Sequence, residues 1–226
     1  MVSPTVASEP TTPQLAGIWS VTLRFVLASA SPARRQLLIH AGLNPAVQPS
    51  DVDEDSMLRT LHGQPFTEQV QVLARAKCES IAETVTDDAL VLGCDSMFEL
   101  DGALFGKPGG PDIARERLRA MSGRSGVLHT GHWLARPSHD RACGDVASTT
   151  VHIASLSESD IEAYIDTGEP LQVAGSFTID GIGGPFVTGV EGDPSNVVGC
   201  SLPLLRTLSE QLGVPWPTLW MSTLPT

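Results

Sequence analysis

Three cations and three carboxylates form the set with the clearest chemical potential: Arg34, Lys77 and Lys107 against Asp53, Glu54 and Asp95. Lys77 and Lys107 are the only lysines, and Lys and Arg together number 14 in 226 residues. Any basic pocket must therefore be built from very few side chains. Cations in turns or on an apolar helix face suit the oxygens of a polyphosphate. Carboxylates near them suit Mg²⁺ or Mn²⁺, which take oxygen ligands and bridge phosphate oxygens. A carboxylate can also polarise an attacking water. Taken alone, the composition leaves phosphate chemistry one option among several, because each residue has a plainer reading. Asp95 can cap a turn, Lys77 can serve a structural ion pair, and Lys107 can be a solvated loop charge. Arg34 can lie on a helix surface, and Asp53 and Glu54 sit in an acidic run of the kind that usually faces solvent.

The elements that must position these residues follow from the hydrophobic pattern. Residues 23–28 form a short apolar run, expected to be a buried strand. Ser31-Pro32 then reads as an N-cap followed by Pro at the first helical position. Leu37, Leu38 and Ala41 give that helix its apolar face, and Gly42 ends it. The turn between strand and helix holds Ser29, Ser31, Arg34 and Arg35. Residues 50–60 are polar and acidic. A helix is expected from Pro65 to about Thr84, with Val70, Leu73, Ala74, Lys77 and Ile81 on one face. Lys77 thus lies on the apolar side, where an ammonium is costly unless paired. Residues 89–93 form a second apolar strand running into Cys94-Asp95-Ser96, and open α/β sheets bind ligands beyond the carboxyl ends of their strands. Asp101-Gly102 marks a tight turn, Gly106-Lys107-Pro108 a loop, and Pro111 the start of a helix to Met121. A strand over about 127–135, a polar loop over 137–145 and a strand around Thr149, Val151 and Ile153 follow. Ser157 and Asp160 have capping-box spacing ahead of a helix closed by Gly168. Residues 174–199 are Gly-rich and predict loops and short strands, and Pro203 starts a last amphipathic helix. Strands alternate with helices but hairpins interrupt them, so the sheet is expected to be mixed.

The formal net charge of −12 opposes binding to the phosphates of nucleic acids. No run approaches the ~18 apolar residues of a membrane span. Cys78, Cys94, Cys143 and Cys200 form no C-x-x-C pair, which argues against a structural zinc site, and disulfides are not expected. No P-loop motif occurs. Gly181-Ile182-Gly183-Gly184 is followed by no helix pattern and so is not a dinucleotide fingerprint. His129 and His132 would point to opposite faces of a strand or stagger along it, which disfavours a shared metal. Ser29 and Ser31 lack a nucleophile elbow and suit capping, which is compatible with holding phosphate at a helix N-terminus. Residues 1–22, rich in Pro, Ser and Thr, lack the apolar block of a signal peptide. A tail over 1–22, a domain over 23–213 and a loosely held C-terminal tail over 214–226 are expected.

Seven segments, in order across roughly residues 23–212, together resemble the Maf family of nucleotide pyrophosphatases. They are Leu27-Ala-Ser-Ala-Ser-Pro-Ala-Arg-Arg-Gln-Leu-Leu38, Ser50-Asp-Val-Asp-Glu54, Ala74-Arg-Ala-Lys77, Gly93-Cys-Asp-Ser96 and Gly106-Lys-Pro108. The sixth is Ser122-Gly-Arg124 with Thr130-Gly131. The last runs from Tyr164 through Ala174-Gly175 to Gly192-Asp193 and Asn196-Val-Val-Gly199. The resemblance implies an elongated mixed α/β sheet flanked by helices, with two lobes around a nucleotide cleft, a Maf or ITPase-like fold. It implies cytoplasmic hydrolysis of a nucleoside triphosphate to monophosphate and pyrophosphate with Mg²⁺ or Mn²⁺, and a homodimer. Asp95 would be the general base or a metal ligand, Lys77 and Lys107 would stabilise phosphate charge, and Ser29, Ser31 and Arg34 would hold the triphosphate. Asp53 or Glu54 would help hold the metal. Ala33, Ser96 and Asp180 depart from the thymidine and uridine triphosphate pattern, so the resemblance leaves the base open. A nucleotide-binding regulator of septum formation without turnover is the alternative it allows.

Overall fold

The computed structural model describes residues 23–221. The tail expected over 1–22 and residues 222–226 lie outside them. The chain forms strands β1 (Arg24–Leu27), β2 (Pro45–Val47), β3 (Ala89–Leu100), β4 (Ala103–Phe105), β5 (Ser125–Arg136), β6 (Arg141–Ile153) and β7 (Val187–Glu191). Its helices are α1 (Pro32–His40), α2 (Glu54–Thr60), α3 (Phe66–Ala82), α4 (Pro111–Met121), α5 (Glu158–Asp166), α6 (Pro194–Val198) and α7 (Leu202–Gln211). The strands make one mixed sheet of order β2-β1-β3-β5-β6-β7, with β4 beside β3. β1 is parallel to β2 and β3, and the remaining pairings are antiparallel. No described helix is long and apolar enough to cross a membrane.

β3 serves both lobes. Its first half packs Leu90 and Leu92 with Phe25, Leu27 and Leu38 against Leu205 and Leu208 of α7. Its second half packs Phe98 and Leu100 with Leu118, Leu128, Val151 and Tyr164 under α4 and α5. Between the halves one edge is open. β1 pairs with β3 only as far as Leu27↔Leu92, and β4 pairs only from Phe98↔Phe105 onward. β5 covers the other edge from Val91 to Glu99. The sheet therefore carries a notch at residues 93–97, flanked by the turn after β1 and the loop after β4.

Two strand glycines bring a helix onto this notch. A Cβ on Gly93 would lie 2.7 Å from the Cys78 amide nitrogen, and one on Gly131 would lie 2.8 Å from the Gln71 Cα. Both clashes are with the α3 backbone, so only glycine lets α3 sit this close. The buried face of α3 is Gln69, Val70, Leu73, Ala74, Lys77 and Cys78, which aims Lys77 at the sheet.

Several expectations need correction. Asp95 does not follow a strand; it lies within β3, opposite Gly131. The polar loop over 137–145 is confined to the turn at Pro137–His139 and the left-handed Asp140, because Arg136 already pairs with Arg141. The first half of β6 holds only exposed and half-buried residues, and its strand state comes from the β5 ladder. The acidic run contains α2, capped by Asp53 accepting from the Ser56 amide at 2.9 Å. Asp193 and Pro194 start α6 within the segment read as loops and short strands. The C-terminal segment is not loose through residue 221. Val214 and Leu219 are buried in the core, and the Met221 amide donates to the Gly42 carbonyl at 2.7 Å.

Candidate active site

Side chains alternate across a strand, and on β3 the alternation divides the site residues between two faces. Asp95 faces α3, and its Oδ1 accepts from Lys77 Nζ at 2.6 Å. The Lys77 ammonium also pairs with Glu54 Oε1 at 2.8 Å. The Lys77 and Asp95 side chains are 9% and 8% exposed, whereas Glu54 is 49% exposed. Burial pushes the Asp95 carboxyl above its ordinary range, with Lys77 and then Arg34 pulling the other way. Asp95 Oδ2 is buried and has no hydrogen-bond partner. Buried acceptors without a partner are few in native structures, and this one is able to take a proton or a cation.

On the opposite face, Ser96 accepts from Arg34 Nη2 at 2.8 Å and shares a 2.8 Å hydrogen bond with Thr130 Oγ1. Arg34 Nη1 donates to Ser29 Oγ at 3.1 Å, and Nε donates to the Gly199 carbonyl at 2.7 Å. The Ser31 hydroxyl caps α1, accepting from the Arg34 amide at 3.3 Å. A guanidinium carries five N–H donors, so these three bonds leave two free. Among the described residues no carboxylate pairs with Arg34: its partners are neutral oxygens, and its charge is left for an anion. The two faces meet at the notch, where β3 lacks a neighbour.

The remaining candidates stand apart. Asp53 is occupied as the cap of α2, so Glu54 is the acidic-run residue that reaches the cluster. Lys107 is exposed in the loop after β4, on the far side of the notch from Ser29, with no salt bridge among the described residues. Asp180 is exposed in a loop braced by Glu169. That carboxylate accepts from Tyr164 Oη at 2.9 Å, Thr178 Oγ1 at 2.6 Å, and the Ile182 and Gly183 amides, each at 2.9 Å.

A family model described as Maf-like protein matches residues 24–212. The chain belongs to the Maf-like family. A relative from Rhodococcus opacus (strain B4) is 48% identical over 207 residues, spanning 88% of this chain and 97% of its own length. One from Salinispora tropica is 49% identical over 210 residues, spanning 92% of this chain and 93% of its own length. Both are named nucleoside triphosphate pyrophosphatase. The solved structure of the Staphylococcus aureus Ham1 protein is a loose likeness, at 13% identity and a TM-score of 0.42 over 87% of this chain and 93% of that one.

Three features of this Maf-like chain escaped the sequence reading. Gly93 and Gly131 set the approach of α3, and their signal was glycine inside strands. The Gly199 carbonyl and Thr130 hold the Arg34 network through contacts distant in sequence. Cys94, His132 and Cys200 also converge, their ligand atoms all within 4.8 Å of one another. No C-x-x-C spacing announces them, since they come from β3, β5 and the turn before α7. Both His132 nitrogens are engaged, however. Nδ1 bonds to the Thr130 carbonyl at 3.0 Å, and Nε2 bonds to the Ser201 amide at 2.8 Å. A carbonyl only accepts and an amide only donates, so the ring is neutral with its proton on Nδ1 and its lone pair already used.

Proposed function

We propose that this chain hydrolyses nucleoside triphosphates to the monophosphate and pyrophosphate. Water attacks the α-phosphorus, the bond from that phosphorus to the bridging oxygen breaks, and pyrophosphate leaves. The observation that carries the reading is the buried Asp95 carboxylate at the notch, held by Lys77 through one oxygen and free at the other. The names of relatives nearly half identical over most of the chain support the same reaction.

In this account Asp95 Oδ2 takes the proton of the attacking water, and burial suits it by raising its affinity for a proton. Lys77 keeps the carboxylate oriented and offsets its charge. Arg34 offers its two spare N–H groups to phosphate oxygens, with Ser29 and Ser31 shaping the turn beneath them. Fixed donors in a partly dry cleft stabilise charge without reorganising. Lys107 approaches from the other rim and meets the phosphates once substrate spans the notch. The donor set fits a hard divalent cation: Glu54 is a half-exposed oxygen ligand beside the Asp95 carboxylate, with Lys77 between them. Glu54 would hold Mg²⁺ or Mn²⁺ while Asp95 Oδ2 is kept for the water, and the cation would supply Lewis-acid polarisation of the phosphoryl oxygens when bound. Ser96 is tied to Arg34 and Thr130, and Asp180 can only accept hydrogen bonds when ionised. Both depart from the thymidine and uridine triphosphate pattern, and the reading extends to other or modified bases.

The test is product analysis over a panel of common and modified nucleoside triphosphates with Mg²⁺ or Mn²⁺, with Asp95→Asn as control. Monophosphate and pyrophosphate in equal amounts, nearly lost in the variant, are expected. Orthophosphate as the main product, or binding without turnover across the panel, would contradict the proposal.

A further inference from the structure

The Arg34 guanidinium belongs to a closed circuit of hydrogen bonds with His132 at its far side. Arg34 Nη2 bonds to Ser96 Oγ at 2.8 Å, and Ser96 Oγ to Thr130 Oγ1 at 2.8 Å. The Thr130 carbonyl accepts from His132 Nδ1 at 3.0 Å, and His132 Nε2 accepts from the Ser201 amide at 2.8 Å. Two residues before Ser201, the Gly199 carbonyl accepts from Arg34 Nε at 2.7 Å and closes the ring. His132 and Thr130 are fully buried.

We infer that His132 is a positioning residue for anion binding: it fixes the turn at residues 199–201 and so aims the Arg34 guanidinium into the notch. The inference rests on the proposed triphosphate site. His132 is the one side chain in the circuit that ties β5 to the turn before α7. Gly199 and Ser201 flank Cys200, so the amide that His132 holds and the carbonyl that Arg34 uses belong to adjacent peptide units of one turn. Gly199 has φ 115 and is the left-handed end of α6, a conformation that a non-glycine residue rarely adopts. A Cβ there would lie 3.2 Å from Arg34 Nε, so the turn packs directly on the guanidinium. Without an acceptor on His132, the Ser201 amide is buried and unpaired, and the turn moves to satisfy it. The Gly199 carbonyl moves with it, and Arg34 swings off its three-point mount. Burial pushes His132 down to about 4, so the ring stays neutral and keeps its acceptor through the neutral range.

The test compares His132→Leu, which removes both bonds, with His132→Gln, whose amide oxygen can replace Nε2. Binding of inorganic triphosphate and of ATP, with Mg²⁺, is measured by calorimetry, and KM and kcat are measured for whichever nucleotide the panel shows to be turned over. His132→Leu should weaken binding and raise KM about tenfold while kcat changes far less, the size of one charged hydrogen bond lost. His132→Gln should recover most of that loss. In an Arg34→Ala background, His132→Leu should add almost nothing, because both act on one guanidinium. If His132→Leu does not fold, His132→Asn replaces it, since its shorter amide leaves Ser201 unpaired. The inference is overturned if the His132 effect is undiminished in the Arg34→Ala background, if Gln is as damaging as Leu or Asn, or if kcat falls with KM unchanged. A wild-type chain that binds neither probe nor any nucleotide of the panel overturns the triphosphate site itself, whereas tight wild-type binding that no His132 variant alters overturns only this role.

Discussion

Lys77→Met probes the pair at the centre of the site, because methionine keeps the stem and removes the charge. In the folded protein, Lys77 Nζ lies 2.6 Å from Asp95 Oδ1, with both side chains under a tenth exposed. Removing one partner of such a pair leaves a buried charge uncompensated and costs about 3–5 kcal/mol. The lost contact to half-exposed Glu54 adds at most ~1 kcal/mol. The variant can escape the penalty by protonating Asp95. Burial already raises that carboxyl, and Lys77 is the strongest group holding it down, so its affinity for a proton rises further without Lys77. A carboxyl raised above its unfolded value keeps its proton in the folded state after the unfolded state has lost it. Stability of the variant therefore increases as pH falls through the folded value. Urea unfolding of both proteins at pH 8 and pH 5 measures this. The deficit should be about 3–5 kcal/mol at pH 8 and clearly smaller at pH 5. Combining Asp95→Asn with Lys77→Met should cost less than the two losses added. A deficit under ~1 kcal/mol at both pH values would mean that the pair behaves as a solvated surface bridge, refuting the argument.

Gly131→Ala should destabilise by about 1–3 kcal/mol and lower kcat, since the added methyl forces the α3 backbone off the sheet and stretches Lys77 from Asp95; Gly110→Ala, where nothing lies within 4 Å of the new Cβ, should do neither. Arg34→Ala should raise KM roughly tenfold to a hundredfold with a smaller effect on kcat, as steady-state kinetics would report, because it removes two free donors aimed at an anion. Burial lowers His132 from its ordinary 6.5 to about 4, so the unfolded chain takes up a proton first as pH falls. About 3 kcal/mol of stability should be lost between those values and retained above 6.5. His132→Gln should flatten that part of the stability curve measured by urea unfolding. Glu54→Gln should raise the Mn²⁺ concentration needed for half-maximal rate while leaving much of kcat at saturation, as a metal titration would show.

How much was legible in the sequence differs between local and distant features. The cap at Ser31-Pro32, the apolar face carrying Lys77 and the alternation around Val151 were readable because each depends on neighbours within one or two turns. The inward face of Lys77 followed from its i, i+3 and i+4 partners, and so did its need for an anionic partner. That the partner would be Asp95, and that Glu54 would share it, depended on the register of β3 against α3, which Gly93 and Gly131 decide by what they lack. The strand state of residues 141–145 was hidden because none of them is fully buried and only the ladder to β5 makes them extended. The short helices α2 and α6 have few apolar residues to show a period, and their capping aspartates read equally well as loop residues. The circuit from Arg34 through Gly199 and His132 was out of reach, because backbone carbonyls and amides carry no sequence signature.

The central claim is that Asp95 activates a water for attack on the α-phosphorus. Turnover in ¹⁸O-labelled water, with mass analysis of both products, tests it most directly. The account predicts one labelled oxygen in the nucleoside monophosphate, none in pyrophosphate, and almost no labelled product from Asp95→Asn. Label in pyrophosphate or orthophosphate instead, or undiminished labelling by Asp95→Asn, would contradict it.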